Sequence, residues 1–260
     1  MCLARAAPKT RPPDPAPALG PPPRTQARRT RRRHETASMQ LRPDPTPAGK
    51  HVPGRPPALC WRWVGERGLL VASGATTLAR YALLSAGAFD EVEDVVPADG
   101  SVLVVLRRGA TVSPELRSAL TAPLAEQQAL TGPRHEILAE YGGPAGPDLA
   151  AVAERAGLDA ATYVRIHAAT EHAVVFLGFQ PGFAYLRGVP SALHAPRRAT
   201  PRREVAAGSI AVGGAYTGIY PASGPGGWNI IGRTRAVLFD PHRDTPALLA
   251  PGDRVVFVPT

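Results

Sequence analysis

Eleven glycines fall between residues 178 and 232, at positions 178, 182, 188, 208, 213, 214, 218, 224, 226, 227 and 232. A glycine inside a helix costs about 1 kcal/mol relative to alanine, so this density excludes a helical architecture for the segment. What it permits is short strands joined by tight turns, with the backbone in dihedrals closed to other residues or pressed against a neighbour. The runs in and around this segment agree. Ala173 to Leu177, Ser209 to Gly213, Trp228 to Ile231, Val237 to Asp240 and Arg254 to Val258 are short and β-prone, the pattern of a small barrel.

Upstream the punctuation differs. Trp61, Trp63 and the Leu69-Leu70-Val71 run flank Gly65-Glu66-Arg67-Gly68, which predicts two strands around a turn. Thr76 or Thr77 then caps a helix whose Leu78, Tyr81, Ala82 and Ser85 recur at helical spacing before Gly87 stops it. A strand pair follows across Pro97-Ala98-Asp99-Gly100, and Ser113-Pro114-Glu115 opens a second helix that Pro123 kinks or splits. A further short strand ends near Tyr141, and Gly142 to Pro147 reads as a hinge. Two short helices come next, capped by Asp148 and Asp159, the second carrying Tyr163, Ile166 and His167. The fold class expected is α+β: a small α+β domain over 58–141 and a β-barrel domain over 142–260, behind a disordered basic extension over 1–57.

That extension accounts for the charge. Residues 1–57 hold 12 of the 30 Lys and Arg, three of the 21 acids and 14 of the 30 prolines, which leaves 18 bases against 18 acids in residues 58–260. The +9 of the whole chain is therefore the tail's, and it gives no support to a nucleic-acid-binding fold. A stretch this rich in proline and charge cannot bury enough apolar surface to offset its ordering entropy. It reads as a disordered extension, or as sequence upstream of the true start with Met39 as first residue.

Two absences narrow the chemistry. Lys9 and Lys50 are the only lysines, so residues 58–260 can build no P-loop lysine, Schiff base or biotin- or PLP-bearing lysine. Cys2 and Cys60 are the only cysteines, too few for a disulfide framework or a cysteine zinc site. No apolar run reaches 18 residues and no apolar stretch follows the arginine cluster at 28–33, so neither a membrane span nor an export signal is expected, and the protein reads as cytoplasmic.

Four groups of residues carry candidate chemistry. Phe176 to Leu186 displays Phe176, Phe179, Phe183 and Tyr185 between glycines and a proline, as a ligand wall or an aromatic-packed barrel corner. In Pro196-Arg197-Arg198-Ala199-Thr200-Pro201-Arg202-Arg203 the prolines hold the chain extended, so Arg197 and Arg202 are presented as forks for a carboxylate or phosphate, unless the segment is only a solvated basic loop. Around Gly213-Gly214 and Gly226-Gly227-Trp228 the backbone can approach a ligand, its amides facing an oxyanion while Thr217, Tyr220 and Arg233 supply side-chain hydrogen bonds. His167 and Glu171, four apart, make a candidate proton carrier and its orienting acid; a helix C-terminal histidine satisfied by the dipole is the structural alternative. His172 lies on another helical face and no third ligand type joins them, so no metal site is expected.

Tyr141-Gly142-Gly143, Gly146-Pro147-Asp148-Leu149, Phe176 to Leu186, Pro196-Arg197-Arg198, Pro201-Arg202, Ala207-Gly208-Ser209, Thr217 to Pro221, Pro225 to Trp228, Ile231 to Thr234, Leu238-Phe239-Asp240 and Pro251-Gly252-Asp253 together resemble, in order, one family. It is that of the prokaryotic 5-oxoprolinase B subunits (PxpB), the KipI-type histidine-kinase inhibitors and the carboxyltransferase C/D subdomain (allophanate hydrolase subunit 1-like) of urea-carboxylase-type enzymes. Residues 59–140 resemble its small N-terminal domain in pattern, and 1–57 have no counterpart. His172 stands where the pattern has Tyr, Ala206 where it has Pro, and Ala139-Glu140 where it has two valines.

The resemblance implies a cyclophilin-like β-barrel and two partners, the C subunit of 5-oxoprolinase, with the related A/B carboxyltransferase-like fold, and the A subunit. Together these open the lactam of 5-oxo-L-proline to L-glutamate with ATP as co-substrate, releasing ADP and phosphate. It also implies His167 and Glu171 as family positions. On this basis the chain is expected to supply one wall of a site shared with the C subunit. Arg197 and Arg202 would hold an anion, His167 would move a proton, and the amides near Gly213, Gly214, Gly226 and Gly227 would face the developing oxyanion. ATP would be bound by a partner or by arginines and amides. The alternatives are a KipI-type kinase inhibitor and a urea- or allophanate-type carboxyltransferase component.

Overall fold

Most of the short β-prone runs of the C-terminal half are strands, and seven strands close on themselves. The computed structural model describes residues 61–125 and 132–260; the expectation for 1–57 lies outside them. The N-terminal part of the described chain holds β1 (Trp61–Val64), β2 (Gly68–Ala72), β3 (Val92–Ala98) and β4 (Ser101–Leu106), which form a four-stranded antiparallel sheet of order β1-β2-β4-β3. Val102, Val104 and Leu106 point from one face of β4 into a core with Leu69, Val71, Leu84, Leu116 and Leu120. Two helices cover that face, α1 (Thr77–Ala86) and α2 (Pro114–Thr121).

Local signals set these boundaries with two exceptions. Ser113 caps α2 by accepting from the Leu116 amide, and α2 ends before Pro123 rather than kinking through it. Helix α1 has no side-chain cap, the Thr76 hydroxyl donating instead to the Ser73 carbonyl at 2.8 Å. Its buried face is Thr77, Ala79, Arg80 and Leu84, a rotation from the expected Leu78, Tyr81, Ala82 and Ser85. Arg80 explains the rotation. Fully buried, its guanidinium donates to the Ala119 and Ala122 carbonyls at 2.5 Å each, at the C-terminus of α2, where carbonyls lack helical partners.

The barrel strands are β5 (Arg134–Tyr141), β6 (His172–Leu177), β7 (Ala184–Arg187), β9 (Ser209–Gly213), β10 (Tyr216–Ile219), β12 (Asn229–Arg233) and β13 (Arg254–Pro259). Their order is β10-β7-β6-β13-β5-β12-β9, and the barrel closes between β9 and β10. A separate ribbon pairs β8 (Arg202–Val205) with β11 (Gly224–Gly226). The expected domain boundary at residue 141 is corrected by β5. That strand pairs in parallel with β13 and antiparallel with β12, so it is barrel, and Gly142 to Pro147 is a turn inside the barrel domain rather than a hinge between domains. A parallel partner at the far end of the sequence leaves no local trace. Val237 to Asp240 forms no strand, only an isolated bridge from Phe239 to Ala247.

Helices α3 (Leu149–Arg155) and α4 (Ala160–Ala169) send Leu149, Val152, Ala153 and Tyr163 into the barrel core with Ile210, Val212, Ile231 and Phe257. Asp159 caps α4 through the Thr162 amide at 2.7 Å. Asp148, expected to cap α3, makes no capping bond. Among the described residues no helix is long and apolar enough to cross a membrane.

Candidate functional site

The β6–β7 loop is held by its own backbone. Gly178 donates to Phe183 at 3.1 Å, Gln180 to Gly178 at 2.8 Å and Phe183 to Gln180 at 3.0 Å. Phe179 takes φ +69°, the only left-handed non-glycine residue among those described, and the residue is 57% exposed. Phe183 is buried beneath it, edge-on to Phe179, Tyr185, Tyr220 and Trp228 at centroid distances of 5.1–5.6 Å. Trp228 lies flat on Gly213, where an added Cβ would sit 2.7 Å from the indole ring atoms, so the glycine is what lets the indole reach the barrel wall. These rings line a cavity of about 190 Å³ with Gly226, Gly227, Pro201, Arg197 and Arg198. Eight residues expected from three separate sequence segments therefore meet: Phe179, Phe183, Tyr185, Arg197, Tyr220, Gly226, Gly227 and Trp228.

The segment carrying the arginines is pinned to the barrel. The Arg198 amide donates to the Gly227 carbonyl at 2.8 Å, and Asn229 Nδ2 donates to the Pro196 carbonyl at 2.9 Å. Below the pocket, Arg202 forms a two-pronged bond with buried Asp148, at 2.8 and 2.9 Å, and Arg198 adds a third at 2.9 Å. The Ile230 amide donates a fourth at 2.8 Å. Burial alone would push the Asp148 carboxyl up, but the Arg202 fork, the Ile230 amide and the two nearby guanidinium charges hold it below its ordinary value. The sequence casts Arg202 as a fork for a ligand anion, and the fork is instead engaged by the protein's own carboxylate. Arg197 is exposed and makes no side-chain hydrogen bond or ion pair among the described residues.

His167 is in the barrel interior, fully buried. The Thr217 hydroxyl gives its one proton to the Ala211 carbonyl at 3.1 Å and therefore accepts from His167 Nε2–H at 3.0 Å. Nδ1 is then the acceptor, and the Tyr141 hydroxyl donates to it at 2.8 Å. Burial, with the neighbouring His172, pushes His167 well below its ordinary pKa, so the ring is neutral and both nitrogens are occupied. His172 lies 4.9 Å away between centroids and donates from Nε2 to the His167 carbonyl at 3.1 Å, while its buried Nδ1 has no partner; burial lowers it to about 4.

Glu171 does not orient His167. It sits on the surface between Arg134, at 3.5 Å, and Arg254, at 3.6 Å. The expected pair is not brought together, because the strand that starts at His172 turns residue 171 outward.

The remaining expectations separate further. The Gly214 amide donates to the Ala195 carbonyl at 2.7 Å and is not free for an oxyanion, and Gly213 is a paired barrel residue behind Trp228. Thr217 is interior. Arg233 lines a separate, wider cleft of about 710 Å³ with Leu138, Glu140, Arg235 and Val237, which shares no residue with the aromatic pocket. The pocket is the better candidate despite its size, since aromatic walls and an unpaired guanidinium converge on it. It can seat a small ring and fix an anion. Its lining offers two phenols but no free carboxylate, imidazole or thiol, so it binds and orients rather than moving protons unaided. Asp148, which holds Arg198 and Arg202 in place beneath the pocket, is the residue that sequence reasoning misses, since a carboxylate at a helix start reads as a cap.

Residues 59–249 match the family model described as "Carboxyltransferase domain, subdomain C and D". The B subunit of 5-oxoprolinase from Escherichia coli O157:H7 is 46% identical over 170 residues, covering 65% of this chain and 78% of that protein. The B subunit of 5-oxoprolinase from Haemophilus influenzae is 49% identical over 126 residues, 48% of this chain and 59% of that protein. The crystal structure of TTHA0988 superposes with a TM-score of 0.63 at 36% identity over 75% of this chain, which spans only 40% of that longer one. The chain belongs to the carboxyltransferase subdomain C and D family, among relatives that carry the name of the 5-oxoprolinase B subunit.

Proposed function

We infer that the chain is the B subunit of an ATP-dependent 5-oxoprolinase, active in the cytoplasm only when assembled with the A and C subunits. The observation that carries this reading is the convergence of the Phe179–Tyr185 loop, Tyr220 and Gly226 to Trp228 on one small pocket with Arg197 unpaired at its rim. A five-membered lactam is a small ring that aromatic faces accept, and its carboxylate is a partner for a guanidinium fork. The pocket is one wall of a site that the C subunit completes. With His167 enclosed, proton transfer falls to a group from across that site. With no lysine in residues 58–260, ATP is held by a partner or by arginines.

The test is ATP hydrolysis by the reconstituted A, B and C subunits with and without 5-oxoproline. Activity that depends on 5-oxoproline and is lowered at least about tenfold by Arg197→Ala is expected, a desolvated guanidinium–carboxylate contact being worth about 1.5–3 kcal/mol. Hydrolysis indifferent to 5-oxoproline in the full assembly would remove the reading.

A further inference from the structure

Beside the aromatic pocket lies a second cavity of about 490 Å³, and Arg197 and Arg198 form the wall common to both. Its other side is built from α3, which contributes Ala151 and Arg155, while Thr200 and Asn229 complete it. We propose that this cavity is a phosphoryl-binding shelf, in which Arg155 and Arg197 hold a phosphate or diphosphate group and the Thr200 hydroxyl donates to it.

Three features distinguish the shelf from an ordinary solvated basic loop. Its arginines come from two elements far apart in sequence, α3 and the segment 196–203, and only folding brings them to one cavity. The one carboxylate that lines it, Asp148, has its oxygens already occupied by Arg198, Arg202 and the Ile230 amide, so it does not compete for Arg155 or Arg197. The backbone that carries Arg197 is fixed by Pro196, Pro201 and the bonds to Gly227 and Asn229, so a ligand has only the side chain of this residue left to order.

An arginine in the last turn of α3 also favours the helix dipole, but that role requires no second guanidinium beside it. Arg155 and Arg197 make no side-chain hydrogen bond or ion pair among the described residues, and neither is near enough to burial to need one. Phosphoryl oxygens suit such a pair because each fork can engage two of them. The absence of lysine from residues 58–260 makes arginine the only strong cation that this part of the chain can offer a phosphate. Arg197 stands in the wall between the two cavities, so its guanidinium is shared between a carboxylate in the pocket and a phosphoryl group on the shelf, while Arg155 belongs to the shelf alone.

This deepens the 5-oxoprolinase reading and rests on it for the source of the phosphoryl group, which is either the nucleotide or a phosphorylated small acid. Both are separated from the site itself by titration calorimetry on the purified chain at low salt, with inorganic pyrophosphate as the first probe. Pyrophosphate should bind, and Arg155→Ala and Arg197→Ala should each weaken it about tenfold. Arg203→Ala, at an exposed position outside the cavity, should leave it unchanged.

All three side chains are exposed, so the variants fold. ADP binding more tightly than pyrophosphate assigns the nucleotide as the source; equal affinity assigns a phosphoryl group without a nucleoside. No pyrophosphate binding, or equal weakening by Arg203→Ala and Arg155→Ala, overturns the shelf. Loss of the shelf leaves 5-oxoproline-dependent turnover by the assembly standing. Turnover that ignores 5-oxoproline, with pyrophosphate still bound through Arg155, removes the activity and keeps the anion site.

Discussion

Arg202 and Arg197 lie on the same proline-stiffened segment, and their surroundings are opposite. Around Asp148 every strong group has a partner: the Arg202 fork, Arg198 and the Ile230 amide saturate a carboxylate that is itself buried. At the pocket rim Arg197 is exposed, lines both cavities and has no partner among the described residues. In the barrel interior His167 follows the Asp148 pattern, bonded at both ring nitrogens. Groups that look reactive in sequence are thus of two kinds, those the fold has already satisfied and those it has left open. Only the second kind has interaction energy to offer a ligand.

The contrast breaks most visibly at Asp148. Asp148→Ala leaves two guanidinium groups and an amide facing an empty space, and removing one side of a buried ion pair costs about 3–5 kcal/mol. A fall in melting temperature of roughly 10 °C is expected. Arg202→Ala should cost about 2–3 kcal/mol by urea denaturation, because Arg198 and Ile230 still hold the carboxylate. Arg197→Ala should stay within about 0.5 kcal/mol of the parent. Equal losses for the two arginine variants would erase the difference between clamp and rim.

The interior can be probed by pH. His167 and His172 are both held below the ordinary histidine value, His172 at about 4, so the unfolded chain binds protons near pH 6.5 that the folded chain refuses. Their contribution is complete above about pH 6.5 and is lost as pH falls, at about 1.4 kcal/mol per pH unit for each ring. Between pH 7 and 5.5 the urea-derived stability should drop by about 2–3 kcal/mol, and His172→Gln should roughly halve the drop. A flat profile would mean that the rings are hydrated, and His167 would return as a candidate proton carrier.

Much of the architecture was legible because its signals are local. Ser113 and Asp159 as caps, the Gly65–Gly68 turn and the β runs at 173–177, 209–213 and 254–258 all appear as read. The meeting of three motif segments on one pocket was not legible, since each segment alone could equally be a packed corner or a solvated loop. What escaped is long-range. The parallel pairing of β5 with β13 joins residues 134–139 to 254–259, and it moved the domain boundary. Asp148 meets its arginines across 50 and 54 residues, which made a capping residue of a buried clamp and a candidate ligand arm of a structural one. His167 and Glu171 are four apart, but a strand begins at residue 172, so helical spacing did not govern the second of them.

A further small effect on stability, made of opposing contributions, concerns Phe179, and it sharpens the contrast from the open side. A left-handed backbone costs a non-glycine residue about 1–2 kcal/mol, which Phe179→Gly would relieve. Against that gain stand the entropy of glycine in the unfolded chain, about 0.5–1 kcal/mol, and the edge-on contacts of the ring with Phe183 at 5.4 Å and Tyr220 at 6.0 Å. These nearly cancel for a residue that is 57% exposed, so the stability of Phe179→Gly should lie within about 1 kcal/mol of the parent. If the strain is kept because the ring closes the pocket, the reconstituted enzyme should show a KM for 5-oxoproline raised by about 3–10-fold, with a smaller change in kcat. A loss of more than about 2 kcal/mol with an unchanged KM would make Phe179 a packing residue, and the wall of the pocket would have to be redrawn around Tyr220 and Trp228 alone.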